Sequence, residues 1–237
     1  MKSVTIGIVT YNTLFYNKLA FKKIIEHTHD CEYEIVVYDN GSTDGSRDFW
    51  SSLPNVRLFN AASTNDRSHG AALNFLIKQA KYPIFCALDA DAFPVSDEWM
   101  VPADALNDRV VVAGIERGWG YTLENYVHPS YLFGKVNFLK RHSFEHQWPN
   151  VGDKFDTGEK ITQKAYKYGY DVKMWKKRHV DFDGRFRGKP CDYAGLVWHV
   201  WWSSRKITNP GLYGVEFEPD YHSFCKEHFR KKYDLDF

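Results

Sequence analysis

Four short apolar runs, at residues 4–9, 33–38, 56–59 and 84–88, alternate with helically spaced segments through the first half of the chain. Leu14, Phe15, Leu19, Ile24 and Ile25 recur at roughly helical spacing and predict a helix over about residues 14–28. A second helix carries Phe49 and Trp50 after a turn at Gly41, with Ser42, Thr43 or Asp44 as its cap. A third opens near Ser68 and runs to about Lys78. Strand and helix alternating in this way imply an α/β fold with a mostly parallel sheet covered by helices. In such sheets ligands bind beyond the carboxyl ends of the strands. Three polar loops fall at those ends, at residues 10–12, 39–44 and 89–91, and the topology alone makes them converge.

The last of these loops is Asp89-Ala90-Asp91, placed where a buried strand leaves the sheet. Two carboxylates one residue apart repel each other unless a cation lies between them. A hard divalent ion takes such oxygens together with the phosphate oxygens of a substrate. The plainer reading is a solvated turn that caps the next helix, a task Ser96 or Asp97 serves as well. The loops after the early strands hold no Gly-x-Gly-x-x-Gly and no Gly-x-x-x-x-Gly-Lys, which argues against a dinucleotide-binding Rossmann domain or a P-loop enzyme. A nucleotide held without those loops needs its base gripped by side chains and its phosphates neutralised by metal. Asp39 suits a base N–H, and Asp89 or Asp91 the ion. Asp39 as a simple turn acid is the alternative, and Asp44 is better placed for that.

Length and charge narrow the field. The 237 residues suit one large α/β domain, or one with a modest appendage. With 31 basic and 30 acidic side chains and no long run of one sign, the chain is not a nucleic-acid binder of the bulk-electrostatic kind. Aromatic residues make up 17%, more than a core uses, so some are expected to line a cleft. Cys31, Cys86, Cys191 and Cys225 show no metal-type spacing and no disulfide pattern. The amino-terminal flank is too short and uncharged for a signal peptide, and no run reaches the ~18 apolar residues of a membrane span. The expectation is a cytoplasmic protein with no integral membrane segment.

Val9-Thr-Tyr-Asn12, Asp39-Asn-Gly-Ser-Thr-Asp-Gly-Ser46, His69-Gly-Ala-Ala-Leu-Asn74 and Asp89-Ala-Asp91 resemble, in order and spacing, the nucleotide-binding half of family 2 glycosyltransferases. The resemblance covers about residues 3–117. It implies the GT-A fold, with a nucleotide-sugar-binding part at 1–117 and an acceptor-binding, catalytic part at 118–237 of the same domain. It places Thr10 and Tyr11 beside the base, Asp39 on it, and Asp89 near the ribose or sugar. Asn12, Asn40, His69, Asn74 and Ala90 belong to the same nucleotide-sugar-binding stretches. Asp91, with Asp89, would hold Mn²⁺ or Mg²⁺ on the diphosphate. Two positions depart from the common pattern: Val9 replaces a frequent Pro, and Asn40 a frequent second Asp.

In the second half, residues 110–115 read as a fifth strand ending at Glu116-Arg-Gly-Trp-Gly-Tyr121. Beyond it the pattern is aromatic and irregular, with Tyr126, Tyr131, Phe133, Phe138, Trp148 and Phe155. These residues either line an acceptor cleft or build a small second core, and the core is the safer reading. Asp156-Thr-Gly-Glu159 opens a helix ending near Gly169, and Glu159 would complete a capping box there. The same stretch resembles the family segment that supplies the catalytic carboxylate, although the usual Glu-Asp pair is missing. Asp156 is the first candidate for the base and Glu159 the second. Val197-Trp-His199-Val-Trp-Trp-Ser-Ser-Arg205 matches the stretch in which GT-A enzymes often complete the metal site with a late His. That favours His199 over His222 as the third ligand, with Arg205 or Lys206 near the departing diphosphate.

The expected function is metal-dependent, inverting transfer of a sugar, of the hexosyltransferase class. The donor is a nucleoside-diphosphate sugar, UDP by default with GDP and dTDP open, and the acceptor a glycan or other hydroxyl. The rivals are a nucleotidyltransferase that makes nucleotide sugars and a non-catalytic carbohydrate-binding protein on a degenerate GT-A scaffold. The first usually carries a Gly-rich basic loop after its first strand, which residues 9–17 lack.

Overall fold

The structure is a computed structural model describing residues 2–29, 31–60, 68–118, 120, 122–144, 156–179, 191–201 and 221–237. Its elements in chain order are β1 (Ser3–Thr10), α1 (Leu14–His27), β2 (Glu32–Asp39), α2 (Ser46–Ser51), β3 (Val56–Asn60), α3 (His69–Gln79), β4 (Ile84–Asp89) and β5 (Ala92–Pro94). A 3-10 helix, Asp97–Met100, leads into α4 (Val101–Asp104), β6 (Val110–Gly118), β7 (Asn125–Lys135), α5 (Val136–Leu139), α6 (Glu159–Lys167) and β8 (Asp171–Trp175). The chain closes with β9 (Lys177–His179), β10 (Cys191–Tyr193), β11 (Val197–His199) and α7 (Tyr221–Tyr233).

Seven strands form the main sheet in the order β3-β2-β1-β4-β7-β6-β8. β1 pairs in parallel with β2 and β4, β2 with β3, and β6 with β8, while β7 runs antiparallel between β4 and β6. The fold is thus the mixed α/β architecture with a mostly parallel sheet that the strand–helix alternation implies. The sheet crosses residues 117 and 118, joining the two halves of the chain through the β4–β7 pairing.

Both faces of this sheet are covered, which is why its strands read as continuous apolar runs. Ile84, Cys86 and Leu88 face one layer, with Ile24 of α1, Trp50 of α2 and Trp99. Phe85 and Ala87 face the other, with Leu73 and Leu76 of α3 and Ile161 of α6. The second half is more regular than its sequence suggests, because residues 125–135 form one long strand buried for most of its length. Tyr126, Tyr131, Phe133 and Phe138 are core residues there, whereas Trp148 and Phe155 lie outside the described residues. α7 packs its Tyr221, Cys225 and Phe229 against Phe15 and Leu19 of α1. No helix among the described residues is long and apolar enough to cross a membrane.

Two departures from the plain layered sheet shape its carboxyl edge. A smaller antiparallel sheet, β5-β11-β10-β9, stands at the carboxyl end of β4, with His199 opposite Ala92 and Tyr193 opposite Lys177. The β6–β7 ladder also breaks: Gly114 pairs with Leu132 and Glu116 with Val127, so residues 128–131 stand against Ile115 alone. Such a bulge turns its side chains out of the ladder and tolerates Pro129, which has no N–H to give. Gly114 sits at its edge, and a Cβ there would lie 2.3 Å from the Tyr131 carbonyl oxygen and 2.9 Å from the Leu132 Cα. Backbone on both counts leaves no side chain to swing away. Gly114→Ala is expected to cost about 1–3 kcal/mol, read as a lower urea midpoint at unchanged slope.

Candidate functional site

The paired strands bring the predicted loops together by register. At the end of β1, Thr10 lies opposite Asp39 on one side, and Val9 lies opposite Asp89 on the other. The first two loops are then stitched to each other. Asn12, in a left-handed conformation at φ 52°, donates its N–H to Ser42 Oγ at 3.0 Å and accepts the Thr43 N–H on its Oδ1 at 2.8 Å. Asp44 accepts the Leu14 N–H at 2.8 Å and the Ser46 N–H at 3.0 Å, so one carboxylate serves the starts of both α1 and α2.

The residues expected to face a nucleotide fall into distinct settings. Asp39 is buried, and its Oδ1 accepts the N–H groups of Gly41 and Ser42, each at 2.9 Å. Its Oδ2 is buried with no hydrogen-bond partner among the described residues, an acceptor ready for an N–H from outside the chain. Thr10 is fully buried, with its hydroxyl held by Thr13 and Asn17, while the Tyr11 ring is 42% exposed and open to a flat ligand. Asn40 is buried beside Asp39, and Ala90 lies in the turn between β4 and β5. His69 begins α3 behind the Ser68 cap and reaches Asp89 at 3.4 Å. Asn74 faces elsewhere: its amide ties α3 to Ser143 Oγ and the Phe144 N–H, both at 2.9 Å. Arg205 and Lys206 lie outside the described residues.

Asp89, Asp91 and His199 each offer a ligand atom, all within 4.8 Å of one another, an arrangement that can hold a divalent metal. The small sheet does the positioning. β11 pairs with β5 directly after Asp91, and the Val200 N–H donates to the Asp91 carbonyl at 3.0 Å. His199 Nε2 then stands 3.1 Å from Asp91 Oδ1 and 3.3 Å from Asp89 Oδ2, almost fully buried. The Tyr193 hydroxyl meets its Nδ1 and sets the ring's orientation, as an outer partner does for a ligating imidazole. Burial alone would push the imidazole toward its neutral form, but the Asp91 and Asp89 carboxylates outweigh it and raise its pKa to about 9. His222, the other candidate, lies on α7 against Tyr16 and belongs to a different cluster.

The two candidate bases differ sharply. Glu159 is fully buried, its Oε1 accepting from the Thr122 N–H (2.5 Å), the Thr122 hydroxyl (2.9 Å) and the Leu123 N–H (2.8 Å). Its Oε2 accepts the Asp156 N–H at 3.0 Å, a bond within the turn before the helix; α6 starts at Glu159 behind a left-handed Gly158 with no side-chain cap, so the capping box the spacing suggests does not form. Burial raises its pKa, but these backbone donors prevail and hold it below the usual carboxylate value. Asp156 keeps about a quarter of its side chain exposed, 24%, and is aimed by Arg117 Nε at 3.4 Å and by the Tyr126 hydroxyl.

A chain of contacts joins this carboxylate to the metal-type cluster. From His199 it passes to the Tyr193 hydroxyl, to Ser130 Oγ (2.9 Å), to His128 Nδ1 (2.8 Å), and from His128 Nε2 to Arg117 Nη1 (2.9 Å), which carries Asp156. An Arg only donates, so His128 Nε2 accepts and the ring is neutral; burial and then the Arg117 charge keep its pKa well below the ordinary value. Tyr193, Ser130, His128 and Arg117 carry no sequence signal of a site. His128 and Ser130 lie on the bulged part of β7, which an aromatic, Pro-interrupted segment does not reveal. The groove of about 620 Å³ lined by Phe21, Tyr33 and Arg57 opens at the opposite, amino end of the strands and holds none of these residues.

Sheet order, helix layers and an Asp-Asp-His cluster beyond the strands' carboxyl ends together define a GT-A architecture. Residues 5–181 match glycosyl transferase family 2, and the chain belongs to that family. Among solved structures it resembles the mannosyltransferase PcManGT from Pyrobaculum calidifontis, determined with GDP-Man and Mn²⁺. The two share 22% identity and a TM-score of 0.54, over 72% of this chain and 54% of that one. It also resembles S. aureus TarS 1–349 in complex with UDP-GlcNAc, at 20% identity and a TM-score of 0.54, over 76% of this chain and 60% of that one. These likenesses are of fold, and the chain spans a little over half the length of these proteins. No curated protein matches it.

A metal held by this cluster would compete with a proton for His199 Nε2. Loading Mn²⁺ is therefore expected to release about one proton, and apparent affinity to weaken about tenfold for each pH unit below 9. Calorimetry in buffers of different ionisation heat measures the released proton directly.

Proposed function

We propose that this chain transfers a sugar from a nucleoside-diphosphate donor to an acceptor hydroxyl with inversion at the anomeric carbon. The observation that carries the reading is the Asp89–Asp91–His199 cluster at the carboxyl ends of the parallel strands of a family 2 domain. Asp39 offers its second oxygen to a base N–H, and the exposed Tyr11 ring covers the base. Asp89, with His69 against it, faces the ribose or sugar, while Asp91 and His199 would hold the metal. Two carboxylates and an imidazole suit Mn²⁺ somewhat better than Mg²⁺. When bound there, the cation supplies Lewis-acid stabilisation to the departing diphosphate.

Asp156 is the general base. Arg117 and Tyr126 orient its carboxylate, and its exposed edge takes the acceptor hydroxyl's proton as that oxygen attacks. Glu159 already accepts four hydrogen bonds and holds the loop that presents Asp156. A UDP-sugar remains the favoured donor. PcManGT was solved with GDP-Man and TarS with UDP-GlcNAc, so the fold accepts either base. Free thiols at all four cysteines accord with a reaction run in the cytoplasm.

Thermal melting against UDP, GDP and dTDP, with Mn²⁺ or with EDTA, tests the donor site. One diphosphate should raise the melting temperature only with the metal, and Asp91→Asn should abolish that shift. No shift with any diphosphate would defeat the reading. Asp156→Asn should keep the shift yet lower turnover by about 10²–10⁴-fold, and full transfer by this variant would remove Asp156 from the role of base.

A further inference from the structure

Beside Asp156 lies a group of side chains of which the proposed transfer uses only Arg117, leaving Lys177 and Trp201 without a task. Trp201 follows the His199 strand and is half-buried, with its backbone in the left-handed region at φ 69°. A bulky residue adopts that conformation only where its surroundings impose it, and such strain concentrates at functional positions. Its ring lies 4.6 Å from the His199 ring and 5.9 Å from that of His128. Two cations stand over the indole, the Arg117 guanidinium at 5.4 Å and the Lys177 ammonium at 5.2 Å. Lys177 is brought there by β9, whose pairing with β10 sets it opposite Tyr193.

Among the described residues the charges do not balance, and Arg117 has one carboxylate, Asp156, which it shares with the Tyr126 hydroxyl. Lys177 has no carboxylate within 4.0 Å among the described residues. Burial pushes its amine below the ordinary value, and the neighbouring Arg117 charge adds to this against an opposing influence of Cys191. A half-desolvated ammonium beside a second cation gains most from an oxyanion placed between them, and a guanidinium favours phosphate in particular. The adjoining indole face suits the C–H surface of a sugar or polyol. Because Arg117 touches Asp156, an anion held here stands on the base's side of the reaction centre.

We infer that Arg117, Lys177 and Trp201 form an acceptor subsite for a sugar or polyol that carries its own phosphate group. The inference rests on the proposed transferase function for the word acceptor; the oxyanion site itself does not depend on it.

Calorimetric titration with glycerol phosphate, with inorganic phosphate and with glycerol, all in EDTA, isolates this site from the metal cluster. Glycerol phosphate and phosphate should bind wild-type protein and glycerol should not. Lys177→Gln should weaken the two phosphates about tenfold, and Lys177→Arg should restore them. The Mn²⁺-dependent melting shift with nucleoside diphosphate should stay unchanged in Lys177→Gln, which also shows that the variant is folded. If Lys177→Gln leaves phosphate binding intact, or weakens only the diphosphate, the subsite is overturned. If no nucleoside diphosphate binds wild type while Lys177-dependent phosphate binding persists, the oxyanion site stands and the transferase reading falls.

Discussion

Two carboxylates at the rim of a hydrophobic core repel each other and lose hydration, so they need positive charge at close range. Asp89 and Asp91 obtain it from His199, and much of the second half of the chain is arranged to deliver that imidazole. β5 begins immediately after Asp91, β11 pairs with β5, and the ring arrives already aligned. β10 then adds the Tyr193 hydroxyl behind it, and β9 brings Lys177 alongside. The Asp91 and Asp89 carboxylates raise the His199 pKa to about 9, so a proton on the imidazole answers the demand. A divalent cation would answer the same electrostatic demand with the same three side chains.

Environment, more than residue type, separates the two acids that open α6. Asp156 and Glu159 lie three residues apart and hydrogen-bond each other's backbone amide region, yet only one is open. Glu159 is saturated by the N–H groups at residues 122, 123 and 156, so it is a fixed structural charge. Asp156 meets a guanidinium and a phenol that aim it without enclosing it. Surroundings thus separate neighbouring carboxyl groups, closing Glu159 into the scaffold and leaving Asp156 open for the base role proposed for it.

The β6–β7 bulge links these two centres. Four residues of β7 against one of β6 free His128 and Ser130 from the ladder, and they bridge Tyr193 to Arg117. Gly114 and Pro129 mark the place, one because no side chain fits against the neighbouring backbone and the other because no N–H is required.

The first half of the fold is legible in sequence because it is built from local patterns. Each strand is a continuous apolar run and each helix has its own spacing and turn, so the order of elements and the convergence of the loops at 10–12, 39–44 and 89–91 follow. β7 is not legible, because a strand buried on both faces lacks alternation and its bulge admits a proline. The acidic ends of β2 and β4 and the Asp156 segment can be named from the sequence, and His199 can be named from a family likeness. What the sequence by itself determined is therefore the layered sheet and the residue types at its carboxyl edge. Only the tertiary structure decided that His199 stands between Asp89 and Asp91, that Glu159 is closed and Asp156 open, and that Arg117 and Lys177 share one indole. Most of those contacts span 24 to 110 positions of chain, set by strand register and by charges acting through space, neither of which leaves a local mark.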